Sequence, residues 1–553
     1  MSWDSTRLQD NVADQWLVFK ANVVHALDCL APLTASTIRS CTGKKRPWYN
    51  ITIKNIRADK RRTWENYRSF RSEVALQAFH HQRNRLTTAI RNARDLFEMN
   101  VAEQLSTNPK LFFQYANSQN KVKAQLPYLK LSDGRCTQNM IESANELNAY
   151  FVSVFSESSR ITETTTNINI VENQLYSLYK FNTEQVRLRL LSLNNRKAAG
   201  PDGISNTILK QNSYALAPHL TVLFQHSLDK GIVPDEWKDA NVTPIHKSGA
   251  TNVAANYRPI SLTSCVCKVM ERFVYDWLST YLRLHSPLHS SQHGFQQSQS
   301  CTTQLLEYCN DITLSLDCKE CMDVIYLDFS KAFDKISHSL LLLKLERRNV
   351  PRQLINWIAS FLQNRRQRVA LGSSYSEWAP VSSGVPQGSV LGPLLFNVFV
   401  DDLDDVLHHD VKIKKFADDT KLYITYSSEL NGPAVLKLQE SLNAVSVWCE
   451  ENLMQLNVKK CNVMYFGIRN SQITYTLNGN ALTSTLLTRD LGVAMSDDGR
   501  ASQQCVTVAA KARRISGLMF GTFSSRRTKV ILPMYKAIIR PIVEYATPVW
   551  SPC

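Results

Sequence analysis

The chain has 553 residues, 44% of them hydrophobic and 20% charged, with a formal net charge of +16 and a sequence pI of about 9.2. That length exceeds what one compact core usually holds and predicts several subdomains. The composition excludes a disordered or fibrous chain, and the charge points to a polyanionic partner. The 13 cysteines are odd in number and lack the regular spacing of a disulfide scaffold, so they read as reduced thiols of an intracellular protein. Cys318 and Cys321 have CxxC spacing, but no second pair lies at zinc-finger distance. Residues 393–400 form the longest apolar run. They are too few to span a bilayer and lead into Asp401-Asp402.

Residues 1–180 read as mostly helical. Between positions 39 and 95 there are 15 Lys/Arg against 4 Asp/Glu, a net +11. Lys44-Lys45-Arg46-Pro47-Trp48-Tyr49 opens this region. Further along it, Trp64, Tyr67, Phe70 and Arg71 follow helical spacing. One reading is a nucleic-acid-binding helix, with cations on phosphates and aromatics free to stack. The other is an amphipathic helix with a core of aromatics and a solvated charged face. Asn108-Pro109 predicts a helix break and restart, and the Ser/Thr/Asn-rich residues 156–169 predict a loop.

A new globular pattern starts near residue 182. Residues 237–247 read as a strand ending in Lys247, and Asn256-Tyr257-Arg258-Pro259-Ile260-Ser261 follows. Lys247 and Arg258 on facing strands would make a clamp suited to a triphosphate, or they are two ordinary surface cations. Helices are predicted over residues 265–284 and 301–316, with a turn at Gln292-His293-Gly294-Phe295-Gln296 between them. Residues 324–327 form a short apolar strand ending at Asp328. A carboxylate there is costly unless paired or metal-bound. Gly384-Val385-Pro386-Gln387-Gly388-Ser389 is a loop before an apolar helix over 394–400.

Residues 411–426 alternate in hydrophobicity around Ala417-Asp418-Asp419, which predicts a β-hairpin with adjacent carboxylates at its tip. Aspartate is also common turn chemistry. Two neighbouring carboxylates repel, and a divalent cation would relieve that. A helix over 436–452, strands at 463–466 and Leu491-Gly492-Val493, and a helical tail over 501–546 complete the reading. Asp328 and Asp418 on neighbouring strands can hold two divalent ions, the arrangement for nucleotidyl transfer. Asp419 is a further ligand or a near neighbour.

Together these blocks resemble the reverse transcriptases of non-LTR retrotransposons, the jockey-like and LINE elements. The resemblance rests on five motifs in the family's order. They are Ala199-Gly200-Pro201-Asp202-Gly203, the segment at 256–261, Leu327-Asp328-Phe329-Ser330-Lys331-Ala332-Phe333-Asp334, the loop at 384–389, and Phe416-Ala417-Asp418-Asp419. It implies an α+β right-hand polymerase. Residues 1–180 would be a basic helical N-terminal segment, 181–495 the fingers and palm, and 496–553 a partial helical thumb.

By the same resemblance, Asp328, Asp418 and Asp419 are the catalytic, metal-binding carboxylates for two Mg²⁺ ions, with Mn²⁺ able to substitute. Phe333 is the gate against a ribose 2′-hydroxyl. Gln387 and Gly388 belong to a loop that contacts nucleotide and template. Lys247 and Arg258 grip the triphosphate, and Lys460 could protonate pyrophosphate. The implied partners are an RNA template, a DNA primer and dNTPs, with no membrane; nuclear work on chromosomal DNA would follow. Nothing in the chain resembles the endonuclease that precedes the polymerase in this family, so the sequence reads as a fragment. A rival reading is a nucleic-acid-binding remnant that no longer polymerises. An RNA-making polymerase is disfavoured by the aromatic ring at 333.

Overall fold

The computed structural model describes residues 11–32, 46–119, 128–131, 133–156, 179–427, 429 and 431–551. Most of the predicted loop at 156–169, and Lys44 and Lys45, lie outside the described residues. Contacts divide the chain into two units. The first comprises residues 1–33, 126–487 and 497–499, and the second comprises residues 34–125, 488–496 and 500–553. The architecture is α+β.

The first unit is built on two sheets. In one, β1 (Asp239–His246) lies between β2 (Tyr257–Leu262) and β4 (Arg365–Leu371). β4 in turn pairs with the short β5 (Ser374–Tyr375) and β6 (Ala379–Val381). The predicted strand at 237–247 starts later than expected. Trp237 and Lys238 close a short helix, Asp235–Lys238, and Lys247 sits one residue past β1. One face of this sheet carries Val242, Val369 and Leu371 against Ala144, Leu147 and Phe151 of the helix Met140–Ser153.

The second sheet has β3 (Cys321–Asp328) at its centre. β8 (Asp419–Tyr426) and β9 (Asn462–Phe466) flank it antiparallel, β7 (Lys412–Phe416) lies outside β8, and Thr483–Ser484 pairs with β9. Both faces are covered. Tyr308 of the helix Cys301–Asp317 bonds Tyr326 at 2.8 Å and lies under the Lys421 ammonium. On the other face, Ile325, Leu327, Leu422 and Ile424 join the main core with Leu438, Leu442 and Trp448 of the helix Asn431–Glu451. The helix Cys265–His285 starts where the Ser264 hydroxyl accepts from Cys267 N at 3.2 Å. It buries Val266, Met270, Phe273, Val274 and Leu278 at the expected three-to-four spacing.

The second unit is helical apart from a pair of short strands. Asn50 caps Ile51–Phe70 and Ser72 caps Glu73–Gln104, with Arg71 in a left-handed conformation between them. A break at Asn108-Pro109 precedes Lys110–Gln119, as predicted. Ile53 and Ile56 form the buried face of the first helix, while Trp64 and Phe70 are exposed. The aromatics of this helix therefore do not form a core. Around Glu98, a second cluster joins Phe112, Tyr115, Met519, Phe523 and Val530. Of the strand predicted at Leu491-Gly492-Val493, only Val493 lies in a strand, and Leu491 and Gly492 form a turn. Strands run over Leu487–Asp490 and Val493–Ser496, and Leu491 and Gly492 both take positive φ, 43° and 91°.

Candidate active site

The register of β3 and β8 sets Asp328 directly opposite Asp419. Across the hairpin, Phe416 pairs with Asp419, so two residues, Ala417 and Asp418, close the turn. Asp328 and Asp419 are cross-strand neighbours, about 5 Å apart at Cβ, and Asp418 projects from the adjoining turn. Burial pushes the Asp418 carboxyl up, and the negative charge of Asp328 adds to that. Arg258 and Lys247 pull the other way, which puts both cations within electrostatic reach of the turn.

Asp328 is held from the far side. Its carbonyl accepts from Asn457 N at 2.7 Å, and its N–H donates to Cys461 Sγ at 3.5 Å. Lys460 Nζ reaches its Oδ2 at 3.3 Å, a partly exposed pair that adds little stability but supplies a mobile ammonium beside the carboxylate.

Phe333 sits in the short helix Ala332–Lys335, and its carbonyl accepts from Val385 N at 2.9 Å. Gln387 Nε2 donates to Asp334 Oδ1 at 2.8 Å, while the Gln387 carbonyl accepts from Ser261 N on β2 at 2.8 Å. The Gly384–Gly388 loop is thus pinned between Phe333-Asp334 and β2. Gly388 has φ 120°, and a Cβ there would stand 2.7 Å from Ser261 O, so only glycine fits. Sequence reasoning missed Asp334, which orients Gln387. The turn expected at 292–296 is present, but sequence reasoning missed its contact with the hairpin that bears Asp418.

The face of the first sheet opposite the helix Met140–Ser153 is open. Arg258 pairs with Ile245, Arg368 with Asn241 and Arg366 with Asp239, so these side chains share it. The Arg368 guanidinium lies between Tyr375 and Trp378, 4.2 and 4.6 Å from their ring centroids. This basic and aromatic surface was not legible in the sequence.

Three aspartates of this kind present hard carboxylate oxygens, the donor set of a Mg²⁺-like cation. The mutual repulsion of Asp328 and Asp418 is what such an ion relieves, so the residues fit divalent metal. The carboxylates do not form a closed triad. Among the described residues, the group with three donor atoms within 4.8 Å is His408-His409-Asp410, where Lys437 already occupies Asp410. No disulfide joins the described cysteines, including Cys318 and Cys321. Among the described residues, no helix is long and apolar enough to cross a membrane.

A central antiparallel sheet with a carboxylate on its middle strand and two more at an adjacent hairpin defines the palm of a right-hand polymerase. Residues 245–495 match the family described as reverse transcriptase (RNA-dependent DNA polymerase). The chain is 31% identical over 380 residues to the RNA-directed DNA polymerase from mobile element jockey of Drosophila melanogaster, covering 66% of this chain and 41% of that protein. It is 30% identical over 325 residues to the probable RNA-directed DNA polymerase from transposon BS of the same species, covering 57% of this chain and 36% of that protein. With the probable RNA-directed DNA polymerase from transposon X-element it shares 27% over 400 residues, 71% of this chain and 44% of that protein. The chain therefore spans about two fifths of the length of these relatives.

Proposed function

We propose that the chain is an RNA-directed DNA polymerase of a non-LTR retrotransposon, extending a DNA primer 3′-hydroxyl on an RNA template. The observation that carries this is the register that sets Asp328 beside Asp419 with Asp418 in the adjoining turn. Two bound Mg²⁺ ions would lower the pKa of the attacking hydroxyl and stabilise the leaving pyrophosphate. Asp328, Asp418 and Asp419 would hold them. Arg258 and Lys247 would grip the triphosphate from the first sheet, and Lys460 would hold the proton delivered to pyrophosphate. The Phe333 ring would close the space a 2′-hydroxyl needs. Gln387, oriented by Asp334, would face the nascent base pair. The open sheet face, with Arg258, Arg366, Arg368, Tyr375 and Trp378, suits a polynucleotide: cations for phosphates, rings for bases.

The test is primer extension on an RNA template with dNTPs and Mg²⁺, comparing wild type with Asp418→Asn. Extension by wild type that the substitution abolishes supports the polymerase and its carboxylates together. Tight RNA binding without extension by wild type would favour a nucleic-acid-binding remnant instead.

A further inference from the structure

We infer that Gln292 is a positioning residue that sets the turn bearing Asp418; this rests on the polymerase reading above. The turn has only two residues, and the first, Ala417, holds φ at 56°. A residue with a Cβ pays for that conformation, so something must hold it. Gln292 is 2% exposed. Its Oε1 accepts from Ala417 N at 2.9 Å and from Gly294 N at 2.8 Å, while its Nε2 donates to Ala417 O at 3.4 Å. One amide side chain thus takes both backbone groups of the strained residue.

The clamp is itself anchored. His293 N donates to Lys415 O at 2.9 Å, and Lys415 N donates to Ser291 O at 2.8 Å, so the loop is bridged to β7 at Gln292, opposite Lys415. The Lys415 ammonium is buried on Asp404 and on Val400 O. Asn397, from the helix Gly392–Phe399 behind the Gly384–Gly388 loop, donates to Gly294 O at 2.7 Å. Gly294 leaves no slack, because a Cβ on it would stand 2.3 Å from Ala417 N. The neutral amide also suits the place. Glutamate would add a negative charge beside Asp328 and Asp418, and lysine or arginine would compete with a metal cation for the carboxylates. A glutamine gives donor and acceptor in one plane and no charge.

Catalytic geometry tolerates little error: a displacement of about 1 Å can cost about 100-fold in rate. The test uses the full chain with Gln292→Met, which keeps length and apolar bulk, and Gly294→Ala, which keeps the glutamine but crowds its bond to Ala417 N. Four quantities are measured: Mn²⁺ binding by electron paramagnetic resonance, kcat and dNTP KM for single-nucleotide incorporation, RNA affinity, and Tm. Both variants should lose about 100-fold in kcat and bind Mn²⁺ about tenfold more weakly, while KM and RNA affinity stay within about twofold. Wild-type Mn²⁺ affinity in a folded Gln292→Met, or a kcat loss with Mn²⁺ binding unchanged, overturns the clamp alone. If Gln292→Met does not fold, Gly294→Ala decides by the same readouts. A wild-type chain that neither binds Mn²⁺ nor extends primer overturns the metal site itself, and the clamp with it.

Discussion

The Phe333 ring lies flat against Phe396, centroids 4.3 Å apart and planes 12° apart, while Phe295 meets it edge-on at 6.3 Å. The ring is fixed from behind and from the side, which the proposed gate role requires. Phe333→Ala should lower discrimination against ribonucleotides by about 100-fold in the ratio of kcat/KM values. Phe396→Leu leaves the ring but removes its stacking partner and should give a smaller loss, about tenfold. Unchanged dNTP selectivity in Phe333→Ala would remove the gate role.

Burial lifts the Asp334 carboxyl up to about 6; the Gln387 amide and the charges of Lys331 and Arg258 offset only part of that. The unfolded value is about 3.9. Between roughly pH 4 and pH 6 the folded chain therefore holds more protons than the unfolded one, and this group makes stability fall as pH rises. Asp334→Asn keeps an acceptor for Gln387 and cannot ionise. Denaturation midpoints measured from pH 4 to pH 7 should converge at the acid end and favour the variant near neutrality. Parallel curves would show that Asp334 does not titrate there.

On the helix Ile51–Phe70, Lys54, Arg57 and Arg68 are all exposed. If they contact phosphate, changing all three to Gln should lower the slope of log affinity against log salt by about 2, at about 0.7 per contact on single-stranded RNA. Measured slopes that coincide with wild type would make this face a solvated surface.

Within the helical unit, Glu98 is fully buried. Its carboxylate accepts from Ser524 N at 3.0 Å, from Ser525 N at 2.8 Å and from Arg94 Nε at 2.8 Å. Glu98→Ala strands these donors and should cost about 3 kcal/mol or more. Urea unfolding should show it as an earlier transition with little change in slope. A shift under about 0.5 kcal/mol, the scale of ordinary surface changes, would mean water replaces the carboxylate.

The hairpin was legible because Val411 and Ile413 alternate with lysines before a tight turn. β3 was legible because its apolar run ends in a carboxylate. Their register was not, since a period of two says which residues share a face but not which strand lies opposite. β4 was invisible for a different reason. Its buried face begins with Arg365 and Gln367, where an apolar pattern would place Val or Ile. The Arg365 guanidinium donates through Nη1 to Phe361 O at 2.8 Å and stacks on the Phe361 ring, and Gln367 bonds Asn148 at 3.2 Å. The turn at Gln292 was legible but its contact with Ala417 was not, because that partner lies 125 positions away and no local pattern records it. Leu491-Gly492-Val493 looked like strand by residue type, but positive φ at two successive positions reverses the chain.

The two-residue turn between β7 and β8 ties the placement of the carboxylates to the integrity of the core. Deleting one residue there would slip β8 by one place against β3. Thr420 would face Asp328, and Leu422 and Tyr423 would exchange faces, one leaving the main core and the other losing its bond to Asp311. A lesion that shifts the carboxylates by slipping the strand would therefore unfold the palm as well. Replacing a carboxylate side chain, by contrast, would remove the charge and leave the spacing of the hairpin intact.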